Sequence, residues 1–163
     1  MKNLFKVLVA SIIILMVCVG KENTKASAMI SITPDCIDAE WVYSPTIEGL
    51  QILYRIVEAE ATDGTYDQKR NVASCILARV EHHWADSIEG VVFQKKQFSP
   101  IDDGRYYTVS ITQSTIDAVN DVLKNGLVHH CDYFCTSTCG SANGGFHSRL
   151  DFQFYDGMHN YYK

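Results

Sequence analysis

The sequence has little positive charge. Its 163 residues include 14 Lys and Arg against 19 Asp and Glu, so the formal net charge is −5. A protein that binds nucleic acid needs a basic surface to meet the phosphates. The composition therefore argues against a nucleic-acid partner.

Long apolar runs are also missing. The longest, Val7 to Gly20, has 14 residues, whereas a membrane-spanning helix requires roughly 20. Lys2 and Lys6 precede this run, and the small-x-small sequence Ala26-Ser27-Ala28 follows it. This is the pattern of a secretory signal peptide over residues 1–28. We expect a secreted, extracellular protein with no stable membrane span after cleavage.

Cleavage would remove four lysines and Glu22, leaving ten basic and 18 acidic residues and a net charge of −8. The remaining 135 residues suit one domain with one hydrophobic core. No repeat or low-complexity tract interrupts them. We expect residues 29–43 to form an extended lead-in and residues 44–163 to form the domain.

A standard zinc motif is absent too. The cysteines that remain after cleavage are Cys36, Cys75, Cys131, Cys135 and Cys139. This odd number leaves at least one thiol unpaired or paired between molecules. Cys75 lies in a helical apolar pattern and is expected in the core, while the last three favour a disulfide among themselves or to Cys36. Their spacing matches no Cys-x-x-Cys site, so we predict no metal or cofactor, although three histidines lie nearby: His129, His130 and His147.

The first helix is predicted to begin at Ser44-Pro45, with Ser44 as its cap and Pro45 at its first position. At roughly 100° per residue, its inward side chains are Ile47, Leu50, Leu53, Tyr54, Val57 and Ala61. Polar residues fall on the opposite side, and they are Glu48, Gln51, Arg55 and Glu58. This pattern predicts a solvated Glu58. Gly64 is expected to end the helix as a left-handed cap.

Glu60 projects elsewhere, at the margin of the apolar side between Leu53 and Ile56 and near the C-terminal end of this helix. Burial and the negative end of the helix dipole both favour a protonated carboxyl. A general acid needs such a raised pKa near neutral pH. We predict that Glu60 is the catalytic acid; the alternative is a helix-end side chain that only reaches water.

Two further helices are predicted. Thr65 and Gln68 form a capping box for a helix that ends near His82, and a third helix covers about residues 112–124 and stops at Asn125-Gly126. Between them, Pro100 and the turn Asp102-Asp103-Gly104 interrupt residues 84–109, which predicts a loop or hairpin region with little helix. The remaining C-terminal residues allow only short strands. The predicted class is mainly α (α+β).

Several short motifs occur in an order typical of one enzyme family. They are Glu60-Ala61, Tyr66, Ile76-Leu77-Ala78-Arg79-Val80, Gly90-Val91-Val92-Phe93, Gln97-Phe98-Ser99, Asp132-Tyr133-Phe134, Phe146-His147-Ser148-Arg149 and Gly157-Met158-His159-Asn160-Tyr161. Over residues 46–162 the sequence resembles the cell wall hydrolases of the SleB/CwlJ type, which are spore cortex-lytic enzymes. It departs from them at Asp63-Gly64, where a Gly-Glu pair is common, and at Ala78, where Asn is usual.

The resemblance implies a lysozyme-like, lytic-transglycosylase-like single domain with a small irregular β element. It also implies cleavage of the β-1,4 bond after N-acetylmuramic acid in the peptidoglycan glycan strands of cell wall or spore cortex. A lytic transglycosylase needs only one carboxyl, which suits Glu60. The expected substrate contacts are Gln97, Phe98, Tyr133, Phe146, Ser148 and His159, and His159 could equally tie the C-terminus to the core.

Three alternatives to the transglycosylase stay open in the sequence. A hydrolytic muramidase would use a second carboxylate, for which the candidates are Asp102, Asp103 and Asp151. Asp63 is a rival to Glu60 as the catalytic residue, although its turn is expected to be solvated. A papain-like peptidase would use Cys75, which fits poorly because its position is mid-helix and apolar. A non-catalytic wall-binding or spore-coat protein would explain the replaced turn Glu and the replaced Asn. A regulatory protein partner is conceivable, and the sequence does not identify one.

Overall fold

The computed structural model describes residues 41–136 and 145–163. Within those ranges, no helix is both long enough and apolar enough to cross a membrane. The signal peptide predicted over residues 1–28, most of the lead-in, Cys36 and Cys139 lie outside the described residues.

The described chain consists mainly of helices with one small sheet, which confirms the predicted class. The helices are α1 (Ile47–Glu60), α2 (Tyr66–Glu81), α3 (Ile88–Val92), α4 (Ser99–Asp103), α5 (Arg105–Thr108) and α6 (Gln113–Asn125). The strands are β1 (Tyr133–Thr136), β2 (Phe152–Tyr155) and β3 (His159–Tyr162), and a 3-10 turn covers Phe146–Arg149. The strands form an antiparallel sheet with β3 in the middle.

The start of α1 lies two residues later than the sequence predicts. Thr46, and not Ser44, is the cap, and its Oγ1 accepts a hydrogen bond from Gly49 N at 3.0 Å. Thr46 has the extended backbone conformation, φ −62° and ψ 159°, that a capping residue needs. Ser44 and Pro45 therefore precede the helix instead of opening it.

The end of α1 also differs from the prediction. The helix stops at Glu60, and Ala61 is its cap with φ −131° and ψ 49°. Gly64 does not take the left-handed conformation. A Cβ at Gly64 would lie 3.0 Å from Ala61 O, so the close approach of the chain, and not a positive φ, favours glycine there.

The ends of α2 and α6 follow the sequence signals. Thr65 and Gln68 form the predicted capping box at the start of α2, and His82 caps its C-terminal end. Thr112 caps α6 by accepting a hydrogen bond from Thr115 N. Gly126, with φ 96°, follows the last residue of α6.

The prediction of little helix over residues 84–109 is wrong, because this region forms α3, α4 and α5. Ser87 starts α3 by accepting a hydrogen bond from Gly90 N at 3.0 Å. Pro100 lies in the first turn of α4. The N–H groups of a first turn have no acceptor within the helix, so a proline there costs no helical hydrogen bond. Gly104, with φ 85°, separates α4 from α5. The breaking residues therefore divide the region into short helices.

The main hydrophobic core lies between α1, α2 and α6, and its fully buried members include Leu50, Leu53, Ile56, Ile76, Val119 and Leu123. Each such side chain contributes about 1.5–3 kcal/mol relative to exposure. A second cluster of Cys75, Cys131 and Tyr161 joins α2 to the sheet. α4 and α5 pack against α1, which brings residues 99–108 to its C-terminal half.

The prediction that Glu58 is solvated is wrong, because its side chain is 1% exposed. Its Oε2 accepts hydrogen bonds from Thr112 N at 2.9 Å, Thr112 Oγ1 at 2.7 Å and Thr115 Oγ1 at 2.5 Å. Lys69 Nζ lies 3.6 Å away. Burial favours the protonated carboxyl, but the hydrogen bonds and the Lys69 charge outweigh it and hold the pKa of Glu58 below its usual value. A projection of α1 alone misses this because the partners come from α2 and α6.

Replacing Lys69 with Met should strongly destabilise the protein, because the Glu58 carboxylate would stay buried without its cation. Loss of one partner of a buried pair costs about 3–5 kcal/mol, whereas Lys95→Met at an exposed position should cost less than about 0.5 kcal/mol. Urea unfolding followed by circular dichroism measures both. The double variant E58Q/K69M should recover part of the loss. A K69M protein as stable as K95M would contradict the role given to this pair.

Candidate active site

Glu60 is the last residue of α1 and is partly buried. Desolvation is the largest influence on its carboxyl and raises the pKa to about 7, although the Arg105 and Arg79 charges oppose it and the Asp103 charge adds to it. A carboxyl with this pKa can give up and take back a proton near neutral pH. The arrangement has the electrostatic properties of a general acid.

Arg105 anchors the chain beside Glu60. Its Nη1 donates a hydrogen bond to Ala59 O at 3.0 Å, and its Nη2 donates to Ser99 Oγ at 3.1 Å. Its Nε donates to Asp103 Oδ2 at 2.9 Å. One guanidinium thus connects the C-terminal end of α1 to both ends of α4.

Arg79 occupies a buried aromatic enclosure on the α2 side and is 3% exposed. Its guanidinium carbon lies 4.9 Å from the centre of the Trp84 ring, 5.0 Å from that of Phe98 and 5.9 Å from that of Tyr133. Its Nε donates to Asp132 O at 2.6 Å. Cation–π contacts are worth roughly 0.5–2 kcal/mol each. Arg79 therefore links α2, the start of β1 and the chain before α4.

Two of the predicted substrate contacts, Gln97 and Tyr133, lie beside Arg79, and a third, Phe146, packs on Tyr133. Gln97 is exposed, and its Oε1 accepts a hydrogen bond from Arg79 Nη1 at 3.4 Å. Tyr133 is partly exposed and packs edge-on against Trp84 and Phe146, with ring centres 5.1 and 5.3 Å apart. Phe146 is 50% exposed. Exposed aromatic faces beside polar groups are suited to sugar rings.

The other predicted contacts are placed differently. Phe98 and His159 are each 2% exposed, so neither offers a free face to a sugar. Both pack on Phe134, with ring centres at 6.2 Å for Phe98 and 5.1 Å for His159. For His159 this packing favours the alternative of a histidine that ties the C-terminus to the core. Ser148 is exposed, and its Oγ donates to Gly145 O at 2.7 Å.

Asp63, the rival to Glu60, is exposed, and so are the candidates for a second carboxylate, which are Asp102, Asp103 and Asp151. Of these four, Asp103 is the one whose charge acts on Glu60. Its carboxylate is engaged by Arg105, which donates from its backbone N to Oδ1 at 3.0 Å and from Nε to Oδ2. A carboxylate held in this way is a poor general base.

The thiols do not support the peptidase alternative. Cys75 is fully buried within α2, and burial raises the pKa of its thiol to about 12, whereas a nucleophilic cysteine needs a low pKa and some exposure. Cys75 and Cys131 carry free thiols, which contradicts a disulfide at Cys131. Predicted pairings that involve Cys36 or Cys139 fall outside the described residues.

The histidines near these cysteines are not arranged around a metal. Cys131 N donates to His129 Nδ1 at 3.1 Å, and His129 Nε2 lies 3.0 Å from Asn71 O. Both ring nitrogens of His129 are therefore occupied by backbone groups. Over residues 41–136 and 145–163, no group of three His, Cys, Asp or Glu side chains is placed to hold a metal ion.

A cavity of about 600 Å³ opens at the opposite end of α1 from Glu60, where its lining includes Tyr43, Glu48, Leu77 and Ile88. α1 has 14 residues and is therefore about 20 Å long. The cavity is separated from Glu60 by the length of this helix, so it is not the place for chemistry at that carboxyl.

Sequence reasoning missed Arg105 and assigned no role to Arg79 or Trp84. Asp103-Gly104-Arg105 shows a turn in the sequence, but the bond to Ala59 spans 46 positions and no periodicity reports it. Arg79 lay within a recognised motif and could have been considered for that reason. Its aromatic neighbours come from separate segments, which only the fold brings together.

The family profile for Cell Wall Hydrolase matches residues 63–159 of this chain. No curated protein sequence matches this chain. Among solved structures, it is similar to the catalytic domain of the germination-specific lytic transglycosylase SleB from Bacillus anthracis, with 20% identity and a TM-score of 0.63 over 72% of this chain and 96% of that one. The catalytic domain of the Bacillus cereus SleB protein is similar at 20% identity, with a TM-score of 0.65 over 77% of this chain and 98% of that one.

These two likenesses establish a shared fold, and the matches extend over nearly all of each solved domain. The profile match begins three residues after Glu60 and includes α2, the short helices, α6 and the first two strands. It extends over more than half of the sequence, and on that ground this chain belongs to the cell wall hydrolase family.

Proposed function

We propose that this protein is a secreted peptidoglycan lytic transglycosylase with Glu60 as its single catalytic acid. One observation carries the proposal: Glu60 ends α1 in a partly buried position, where desolvation raises the pKa of its carboxyl to about 7. Membership of the cell wall hydrolase family supports the substrate class. The B. anthracis domain with the same fold is described as a lytic transglycosylase.

The proposed reaction uses one carboxyl twice. Glu60 donates its proton to the glycosidic oxygen while the bond from that oxygen to C1 of N-acetylmuramic acid breaks. The 6-hydroxyl oxygen of the same sugar bonds to C1, and its proton passes to the Glu60 carboxylate. The product is a 1,6-anhydro sugar, and the carboxyl regains its starting protonation state.

The charges around Glu60 suit this cycle. Arg105 and Arg79 both favour the ionised carboxyl, so they stabilise the carboxylate that exists between the two proton transfers. Desolvation favours the protonated form that starts the cycle. The balance between these effects places the pKa of Glu60 near 7, where neither form is strongly preferred at neutral pH.

The glycan would lie across the exposed residues around Arg79. Tyr133 and Phe146 form an edge-on pair with exposed area for stacking on sugar rings, and the amide of Gln97 can hydrogen-bond an acetamido group. Ser148 is a further polar candidate on the same 3-10 turn as Phe146. The substrate is peptidoglycan of the vegetative wall or of the spore cortex.

A hydrolytic muramidase is the second candidate, since water could replace the 6-hydroxyl as the attacking group. Hydrolysis usually needs a second carboxylate that activates the water or bonds to the sugar. Of the candidates for that role, Asp103 alone acts on Glu60, and Arg105 already holds it. A binding-only role would leave the raised pKa of Glu60 without a use. These observations favour the transglycosylase.

Replacing Glu60 with Gln should abolish peptidoglycan cleavage, because the amide cannot donate a proton to the leaving oxygen. Proton transfer by a placed side chain is worth about 10²–10⁴-fold, and we expect at least that loss in the release of soluble muropeptides from purified sacculi. Glu48→Gln, at the exposed start of α1, is the matched control and should keep wild-type activity.

Mass spectrometry of the released muropeptides checks the reaction type in the same experiment. We expect 1,6-anhydro ends from the wild type on vegetative sacculi, on spore cortex or on both. Hydrated reducing ends would reject the transglycosylase in favour of the muramidase. Near-normal lysis by E60Q would reject Glu60 as the acid, and an inactive wild type on both substrates would support the binding-only role.

The same substitution should stabilise the protein at alkaline pH. The raised pKa of Glu60 means that the folded chain keeps the proton between pH 4.5 and about 7 while the unfolded chain loses it. Stability from the protonated carboxyl is therefore fully present below pH 4.5 and is lost as the pH rises through about 7. Gln carries no charge, so E60Q escapes this loss.

Thermal unfolding of the wild type and E60Q from pH 4.5 to 8.5 measures this difference. The advantage of E60Q should grow with pH and level off above about 7, at a value on the order of 1–3 kcal/mol. E48Q should show no such growth. Parallel pH curves for E60Q and the wild type would mean that the Glu60 carboxyl is not desolvated.

A further inference from the structure

The turn between α4 and α5 joins two opposite charges into a closed pair. Arg105 donates to the Asp103 carboxylate from both its backbone N, at 3.0 Å, and its Nε, at 2.9 Å. Gly104 lies between them with φ 85°, a conformation that glycine adopts without steric cost. The local chain alone therefore sets the geometry of this pair.

The same guanidinium reaches the end of α1. The last carbonyls of a helix have no partners within the helix, and Ala59 O, which directly precedes Glu60, receives a hydrogen bond from Arg105 Nη1 at 3.0 Å. Arg105 Nη2 adds a bond to Ser99 Oγ at 3.1 Å. A planar group with several bonds fixes direction better than a single contact does.

Three charged side chains act on Glu60 within the described chain. Asp103 and Arg105 approach it from α4 and α5, and Arg79 approaches it from α2. α3 and α6 also pack against α1, but they contribute no charge to this group. The electrostatic setting of Glu60 therefore depends on one anion and two cations.

We infer that the Asp103–Arg105 pair is a positioning device, in which Arg105 fixes the end of α1 beside Glu60 while Asp103 neutralises the charge that this contact brings. This inference rests on the proposed role of Glu60 and extends it to two residues that need not touch the substrate. It also gives the exposed Asp103 a function other than that of a second catalytic carboxylate.

The physical reason for a pair lies in two conflicting requirements. A carbonyl at a helix end is best bound by a strong multivalent donor, and a guanidinium is such a donor. A lone guanidinium next to Glu60 would also draw the carboxyl toward its ionised form and remove the proton that an acid must supply. Asp103 reduces this effect without taking away the hydrogen bond to Ala59.

Charge-removing variants of the full mature chain test the pair, with two readouts. The first is the titration of the Glu60 carboxyl, followed by carbon NMR on glutamate-labelled protein and assigned with E60Q. The second is the alkaline limb of kcat/KM for muropeptide release from sacculi. Asp103→Asn removes the anion and should move both to lower pH by about 0.5–1 unit.

Arg105→Gln removes the cation and should move both readouts to higher pH, and the double variant D103N/R105Q should titrate near the wild type. Arg105→Lys keeps the charge without the planar fork. It should keep the wild-type titration but lower kcat about tenfold or more, because the end of α1 is less well held. If R105Q does not fold, the titration of D103N and the kcat of R105K still test the role of the pair.

Asp102→Asn is the matched control, because it removes an equal charge from the neighbouring exposed position. D102N should leave the pH at which the Glu60 carboxyl titrates unchanged. An equal shift in D102N and D103N, or shifts of D103N and R105Q in the same direction, would overturn the inference. So would an R105K variant with the kcat of the wild type.

The NMR titration separates this inference from the proposed function, because it needs no activity. Opposite shifts in D103N and R105Q together with a wild type that releases no muropeptides would support the pair and reject the enzyme. Cleavage that depends on Glu60 together with unchanged titrations in both variants would reject the pair and keep the enzyme.

Discussion

The last turn of α1 is the constraint on which the site depends. A helix end presents carbonyl groups that lack partners within the helix, and this end must also carry a partly buried carboxyl. Thr62 Oγ1 donates to Glu58 O at 2.9 Å, and Arg105 Nη1 donates to Ala59 O at 3.0 Å. These bonds come from outside the helix, so they keep the turn ordered without any contact to the acid. Glu60 can then remain desolvated although the turn that bears it lies at the edge of the core.

Two glutamates in this turn show how closely the surroundings determine the chemistry of a carboxyl. Glu58 is buried and Glu60 is partly buried, but the pKa of Glu58 is lowered and that of Glu60 is raised to about 7. Glu58 accepts three hydrogen bonds and faces Lys69, all of which favour its ionised form. For Glu60, desolvation exceeds the net effect of the nearby charges. Glu58 is thus suited to join helices, and Glu60 to exchange a proton.

The sequence predicted the parts that depend on local chemistry. The capping box at Thr65 and the stop at Gly126 are found where the pattern placed them, and the strands of the C-terminal region are short, as expected. Glu60 was distinguished from Glu58 because helical periodicity separates the two by about 200°. Periodicity anticipates the partial burial of Glu60, because desolvation at the margin of the apolar side is the largest influence on its carboxyl. It does not report the charges of Arg105, Asp103 and Arg79, which come from other helices.

Prediction failed where distant segments supply the environment. Glu58 was assigned to solvent because Lys69 and Thr112 belong to other helices. Phe98 and His159 carry side chains that often contact sugars, but the packing of the sheet encloses them. The helices within residues 84–109 were missed because each has only four or five residues, too few for a periodic pattern to be recognised.

Arg79 shows why an aromatic enclosure can matter for an acid that it does not touch. A buried guanidinium next to a carboxylate would be neutralised, and its influence on other groups would be small. The described partners of the Arg79 side chain are the carbonyl of Asp132, the amide of Gln97, the thiol of Cys75 and three aromatic rings, none of which carries a formal charge. They accept its hydrogen bonds and stabilise its burial while its positive charge acts on Glu60. The residues proposed to receive the glycan therefore belong to the same structure that adjusts the proton affinity of the acid.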